Sequence, residues 1–319
     1  MLRYIARRLV GVAVVLLAMS FVIYALIGLM PGDPLDLMIS ADPNVTTADV
    51  ARLRAIYGLD RPLHERYLSW LGAALQGDFG YSRIHARPVL EVMWPRLANT
   101  CLLMGLSFAL ALLIALPAGV LIALRPRGLL DYALNLLAFA GISVPSFWLA
   151  LMLIILFSVQ LGWLPAGGVA TVGVDTLADR ARHLVLPVLT LTALTAGGLL
   201  RFTRAAMLEA MRQDYVRTAR AKGLGPLGVV LRHVMRNAMI PVVTVIALNF
   251  GALVSGALIV ETMFAYQGMG KLIYDSIMGN DYNLALIGLL FATLLTLLSN
   301  LGADLVYAWL DPRISYEER

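Results

Sequence analysis

Six long apolar runs separated by polar segments set the pattern of this chain: roughly 9–30, 100–124, 133–161, 184–203, 239–262 and 284–310. Each meets the ~20 mainly apolar residues that a membrane-crossing helix needs. The runs are continuous rather than alternating, which argues against the short strands of a membrane β-barrel. Glycine or proline interrupts most of them, at Pro117, Pro145, Pro187, Gly251 and Gly256. Membrane helices tolerate both because neighbours re-satisfy the freed backbone groups. The pattern predicts an all-α, polytopic membrane protein of about six transmembrane helices. The third run is over-long, so Pro145 is expected either to kink it or to end a shorter lead-in segment.

Composition supports the bilayer as solvent. Of 319 residues, 60% are hydrophobic and only 14% charged, against roughly a quarter charged in soluble domains. The net charge of +5 is no argument for nucleic acid, because lysine and arginine gather at the ends of the apolar runs, as membrane orientation requires. The single cysteine, Cys101, lies inside a run, so no intrachain disulfide exists and compartment cannot be read from it.

Charge also sets orientation. With the N-terminus inside, Arg3, Arg7, Arg8, Arg125, Arg127, Arg313 and Arg319 fall in the cytoplasm, with the eight cations between Arg201 and Arg236. The two short outer loops hold only Arg180, Arg182 and Lys271. The segment 31–97 carries seven arginines but is long enough to be largely exempt. Both termini are expected in the cytoplasm. Arg7-Arg8 before an apolar run suggests a signal peptide, yet the run outlasts a signal core and ends in Met30-Pro31-Gly32 rather than a cleavage site. An uncleaved first helix is expected.

The outer segment is punctuated by Pro31-Gly32-Asp33-Pro34, Asp42-Pro43, Gly58-Leu59-Asp60-Arg61-Pro62 and Gly77-Asp78-Phe79-Gly80. Between these turns, 47–57 and 63–75 read as short amphipathic helices, the first capped by Thr46 or Thr47. Two roles stay open: a compact flap on the outer membrane face, or an element that docks or gates for an external partner. The division expected is therefore 1–97, a helix plus extracytoplasmic loop, and 98–319, a five-helix core with a cytoplasmic loop at about 204–238.

That loop is the most informative stretch. Strong helix formers run over 205–222, Gly223-Leu224-Gly225-Pro226 stops them, and helical pattern resumes over 227–237 toward Pro241. Gly223 is suited to a left-handed helix end. The reading is helix, turn, helix, exposing Tyr215, Ala219, Ala221 and Leu224 among cations, with small residues that permit insertion into a groove on another protein. The simpler reading is a basic loop that holds orientation or meets anionic headgroups.

Candidate chemistry is sparse. No phosphate-binding loop is present, since Gly270-Lys271 is followed by Leu272. The four histidines, His64, His85, His183 and His233, lack metal-site spacing, and no nucleophile elbow or dinucleotide fingerprint appears. The chain is expected to be no catalyst and to hold no cofactor or metal of its own, so its energy must come from an ion gradient or another protein. Polar residues in or near the spans are few: Asn249, Ser255, Glu261, Asn300 and Asp304. Asp304 reads either as an ion-path carboxylate or as a structural partner of a cation such as Arg201. Gly251 and Ser255 form a small-xxx-small pair for close helix approach.

Asp214-Tyr215-Val216-Arg217-Thr218-Ala219-Arg220-Ala221-Lys222-Gly223-Leu224, then Arg232-His233 and Arg236-Asn237-Ala238-Met239-Ile240-Pro241-Val242-Val243-Thr244, resembles the coupling loop of dipeptide/oligopeptide-type ABC transporter permeases. Pro31-Gly32-Asp33-Pro34, Gly58-Leu59-Asp60-Arg61-Pro62, Gly77-Asp78-Phe79-Gly80, Leu161-Gly162-Trp163-Leu164-Pro165, Glu261-Thr262-Met263-Phe264 and Asp311-Pro312-Arg313 extend the resemblance over nearly the whole chain. Importers generally carry E-A-A-x-x-x-G here. Arg217 and Thr218 depart from it at the acidic and first alanine positions, whereas Ala219 and Gly223 fit.

The resemblance implies a type I ABC importer permease fold in a bacterial inner membrane. It implies a second permease subunit, a paralogue or a second copy of this chain, completing the pathway, two cytoplasmic ATPases that carry ATP and Mg, an extracytoplasmic binding protein, and surrounding lipid. Asp214, Tyr215, Arg217, Thr218, Ala219, Arg220, Ala221, Lys222, Gly223 and Leu224 would then be the ATPase-coupling residues. Peptides are the default cargo, with glutathione or a nickel chelate as alternatives. Two other classes stay on the page: an ion-coupled secondary transporter using Asp304, which would show internal repeats, and a non-transporting membrane scaffold.

Overall fold

The computed structural model describes residues 2–29 and 61–310, with side chains at 6–29, 61–246, 257–302, 304 and 305. In chain order the elements are helix α1 (Leu2–Gly28), α2 (Leu63–Leu75), a hairpin of β1 (Tyr81–Ser82) and β2 (Arg87–Pro88), α3 (Val89–Leu124), α4 (Leu129–Ser143) and α5 (Ser146–Leu153). Then follow α6 (Leu177–Met211), α7 (Asp214–Ala221), α8 (Pro226–Val229), α9 (Met235–Met263), α10 (Met269–Met278) and α11 (Tyr282–Leu310). The expected helix at 47–57, the turns at 31–34, 42–43 and 58–60, and the motif at 311–313 lie outside the described residues.

Among the described residues, five helical stretches are long and apolar enough to cross a membrane: Ala6–Gly28, Val89–Leu124, Leu177–Met211, Pro226–Ile246 and Tyr282–Gly302. A sixth arises if the two halves of the over-long run, Leu129–Ser143 and Ser146–Gln160, count as one span bent by 106°. Proline causes the break. It disfavours helical backbone at the residue before it, and Val144 is extended at φ −79°, ψ 127°. After α5 the chain continues as a wider π-type turn, Ile154–Gln160. The fifth apolar run starts earlier than its sequence suggests. Val230–Val234 forms a π turn joining α8 to α9, so the second arm of the basic loop and the apolar run are one helical stretch that passes through Pro241.

The chain divides into two compact units, one of Met1–Leu97 with Leu272–Leu294, the other of Ala98–Lys271 with Leu295–Arg319. In the first unit, Ile23 and Ile27 of α1 pack with Ala285 and Leu286 of α11, with Tyr24, Trp70 and Ile277 at the margin. Tyr67 of α2 is buried and shares a 2.8 Å hydrogen bond with Ser20 of α1. The amphipathic helix expected at 63–75 is therefore present, and its buried ring rests on α1, with Phe21 edge-on at 5.2 Å.

The short hairpin was not legible in the sequence, because two-residue strands carry no periodicity. A buried carboxylate, Asp281, fixes it. Asp281 accepts from the Ser82 hydroxyl at 2.5 Å and from the Ile84 backbone N–H at 3.0 Å. Its other oxygen accepts from the Leu284 N–H at 3.4 Å, in the capping geometry of a helix start. Asn283 adds a bond from its side-chain amide to the Tyr81 carbonyl at 3.1 Å.

The second unit is built on α6. Gly197 lets α4 come close: a Cβ there would stand 2.5 Å from the Ala138 carbonyl oxygen. Small residues at helix contacts are the usual membrane solution, since apolar burial alone gives no preference for protein over lipid. One apolar cluster gathers Leu103, Ala150, Leu186, Leu191, Val260, Phe264 and Tyr266.

Replacing Asp281 by alanine should leave the buried Ser82 hydroxyl with His85 alone, remove the acceptor of the Ile84 N–H and uncap α11 together. A loss of about 2–4 kcal/mol is expected, read as a lower thermal midpoint in detergent and faster proteolytic cutting at 83–87, with Asp281→Asn falling between the two.

Candidate functional site

The basic segment after α6 folds as its composition suggests. Asp214 opens the eight-residue α7 and Arg220 lies in its last turn, both favourably placed against the helix dipole. The end is a Schellman motif. The Leu224 N–H donates to the Ala219 carbonyl at 3.3 Å and the Gly223 N–H to the Arg220 carbonyl at 2.9 Å. Gly223 has φ +81°, the left-handed region where a Cβ is penalised. Pro226 then starts α8 at its first turn, where its missing N–H costs nothing.

One expectation needs correcting. Ala219 was expected to be exposed, but it points inward at 4% exposure, beside Val216 at 1%. Both pack against Ala206, Met207 and Ala210 of α6, Ala123 of α3, and Val229, Val234, Ala238 and Val242. The spacing of Val216 and Ala219 puts them on one helix face, and the small residue lets α7 lie close to α6. Tyr215 and Leu224 are half-buried against the same cluster. The outward face consists of Asp214, Arg217, Thr218, Arg220, Ala221, Lys222 and Gly223, all exposed. Arg217 and Asp214 stand 3.7 Å apart at 83% and 95% exposure, a geometry that contributes little and leaves the cationic strip available. Arg212, Arg232 and Arg236 are also exposed.

Between α4 and α6 lies an ion pair missed by the sequence reading. Asp131, in the first turn of α4 and 3% exposed, accepts from Arg204 Nε and Nη2 of α6, both at 2.7 Å. It also accepts from the Arg127 backbone N–H at 2.9 Å and from the Asn135 amide at 2.7 Å. Every carboxylate lone pair direction is thus used, which is what makes a buried charge tolerable. Arg204 had been counted only as an orientation cation. The available signal was an acid just before an apolar run, with an amide four residues on.

The remaining polar candidates separate. Glu261 is fully buried at the end of α9. It accepts from the Thr100 hydroxyl of α3 and from the Lys271 backbone N–H, the latter at 3.0 Å, so its charge sits at the start of α10. Thr100 Oγ1 in turn accepts from the Met269 N–H at 2.8 Å, and Asn99 donates to the Gln267 carbonyl at 2.8 Å. Burial first and the Glu261 carboxylate second push the Tyr266 phenol up to about 12, so it stays a donor, to the Asn99 carbonyl. Asn300 is exposed on α11 and Asp304 is half-buried. Asn249 and Ser255 lie in α9, but their side chains fall outside the described set, as does the Gly251 contact. Glu261 is therefore a tie between three segments of its unit, and the motif Glu261-Thr262-Met263-Phe264 is built around it.

Comparison with known proteins gives consistent results. A family described as binding-protein-dependent transport system inner membrane component matches residues 115–316, and its N-terminal counterpart matches 1–104. An oligopeptide transport system permease of Bacillus subtilis is 41% identical over 318 residues, covering 99% of this chain and 100% of that one. A putative peptide permease of Brucella suis is 42% identical over 98% of this chain and 99% of its own length. A glutathione transport system permease of Escherichia coli is 39% identical, over 99% and 100%. Among solved structures, an amino acid ABC transporter crystallised with histidines superposes with a TM-score of 0.55 at 14% identity, over 69% of this chain and 94% of that one. The methionine ABC transporter MetNI in an inward-facing form gives 0.52 at 18%, over 70% and 97%. These two likenesses concern the fold.

Removing one partner of the buried pair, as in Arg204→Ala, should cost about 3–5 kcal/mol. The double change Asp131→Asn with Arg204→Gln should cost clearly less than the sum of the single changes. Thermal melts of the four proteins in one detergent give the coupling directly.

Proposed function

Since this chain belongs to the binding-protein-dependent transport system inner membrane components, we propose that it is one of two permease subunits forming the pathway of an ATP-driven peptide importer. Among the described residues the apolar helices fit a multi-pass membrane protein of this kind. The observation that carries the coupling role is the two-faced helix α7: Val216 and Ala219 are sunk into the core of the second unit, while Arg217, Thr218, Arg220, Ala221 and Lys222 face outward. A helix so anchored can transmit a push on its outer face to α6 and α9 without bending at its own base.

In this reading two cytoplasmic ATPases bind ATP with Mg and hold α7 in a groove. Their closure shifts the permease between outward- and inward-facing states, a two-state element biased by nucleotide. An extracytoplasmic protein delivers the cargo. The inner surface then carries both termini and α7, and the segment 61–88 faces outward. Peptide cargo is preferred because two of the relatives above carry oligopeptide or peptide in their names; glutathione, itself a tripeptide, is the second reading, favoured by the third. The first member of the coupling set, Asp214, and the buried Ala219 act by shaping α7, and the exposed cations act by contact.

Gly223→Pro tests the coupling. Proline cannot adopt φ +81° and lacks the N–H given to Arg220, so the end of α7 must change. The variant complex should retain ATP binding and lose most substrate-stimulated hydrolysis and transport, about tenfold or more. Unchanged stimulation would remove α7 from the coupling path. Reversing charge with Arg217→Glu and Arg220→Glu should weaken recovery of the ATPases with the permease while leaving its thermal midpoint within about 0.5 kcal/mol equivalent.

A further inference from the structure

A groove on the second unit, away from α7, is left unused by everything above. Asn135 and Phe139 of α4 and Gly198, Arg201, Phe202, Arg204 and Ala205 of α6 line it, and its volume is about 450 Å³. That is within the range of small-molecule sites. Its chemistry is mixed in a particular way. The Arg201 guanidinium carbon stands over the Phe139 ring, 3.9 Å from its centre, a contact that holds the cation beside the ring. Arg201, Phe139 and Phe202 are exposed. Among the described residues no acceptor takes up the Arg201 N–H groups.

The neighbouring Arg204 has a different status, since its fork is closed on Asp131 and the two charges cancel. The groove therefore presents one net positive charge. Asn135 supplies the complement. Its amide nitrogen donates to the Asp131 carbonyl and to Asp131 Oδ1, so both N–H groups are spent and the orientation of the amide is fixed. The side-chain oxygen is then held as an acceptor, half-buried at the groove. A guanidinium held beside a ring, a fixed acceptor and two aromatic walls stand on α4 and on α6, the latter long and apolar enough to cross a membrane. Charged and polar groups in that setting face water or protein rather than lipid tails.

We propose that this groove is a contact point for the C-terminal residue of a peptide in transit. Arg201 receives the carboxylate, Asn135 Oδ1 accepts an amide N–H of the peptide, and Phe139 with Phe202 receive apolar side chains. A guanidinium fork matches a carboxylate in two parallel bonds, and the ring beneath it supports the same cation. A lipid phosphodiester shares the anionic oxygens that Arg201 would bind, and the test below separates it from a peptide. The inference rests on the peptide-import reading, and the site is a stepping point on the path rather than a tight store: one ion contact with open walls releases as readily as it binds.

The test uses the whole transporter in vesicles, with its second permease, ATPases and binding protein. Uptake is measured for one hydrophobic tripeptide and for its C-terminal amide. The ratio of the two rates is compared between the native chain, Arg201→Gln and Arg201→Lys. With the same binding protein throughout, any change in ratio arises in the permease. The native ratio should exceed that of Arg201→Gln by about tenfold, the value of a charge-assisted bond, and Arg201→Lys should lie between. An unchanged ratio overturns the proposal, as does an equal loss for both peptides that varies with the phosphatidylglycerol content of the vesicles, which would mark a lipid site. If Arg201→Gln transports neither peptide, the Arg201→Lys ratio decides by the same rule. Absence of uptake of either peptide by the native transporter, with its ATPase active, rejects peptide import itself, an outcome separate from loss of the ratio.

Discussion

A buried charge finds no water to bond, so among the described residues this fold depends on satisfying each buried carboxylate from within its own unit. Three carboxylates show how. Asp131 lies in the first turn of α4, Asp281 caps α11, and Glu261 meets the start of α10. All three sit where unpaired backbone N–H groups and the helix dipole favour negative charge. Each also reaches a second segment of its unit: Arg204 for Asp131, the hairpin for Asp281, Thr100 for Glu261. The apolar helices give the chain a solvent, and these acids decide which helix ends meet. A buried pair of this sort is weak support for stability by itself. Its value here is register, because a helix sliding by one turn would leave a charge without partners.

Much of this was legible in the chain. The spans follow from run length, and the broken third run follows from Pro145, whose effect on Val144 is local and steric. Gly223 was legible for the same reason, since a left-handed helix end is a property of a few consecutive residues. What the sequence did not reveal depends on residues far apart. Asp131 carried no signal of its pair because its partner lies seventy-three positions away. Ala219 looked like a contact residue because its smallness has two explanations, a partner's groove or a neighbouring helix. Only packing against Ala206 and Met207 separates them. The hairpin at 81–88 is too short for any period, and its stability resides in Asp281.

Taken with the family, the structure divides labour between two kinds of surface. Packing surfaces such as the Val216–Ala219 face are small and apolar, and any change there is felt through the core. The surfaces proposed above for contact, the cations of α7 and the Arg201 groove, are polar, exposed and held in place by residues behind them. Asn135 illustrates the link: its amide nitrogen serves the Asp131 pair and the residue also lines the groove. A structural bond thereby fixes the direction of a potential binding group, which an isolated surface asparagine would not achieve.

The separation of the two faces of α7 bears on how such importers diversify. Residues that hold the helix against the core of the second unit are not those it exposes, so the outer strip is free to drift in sequence without unfolding the chain. Under the coupling role proposed above, pairing with a given ATPase becomes a matter of a few interchangeable surface charges, and a change of cargo elsewhere in the chain leaves that strip untouched.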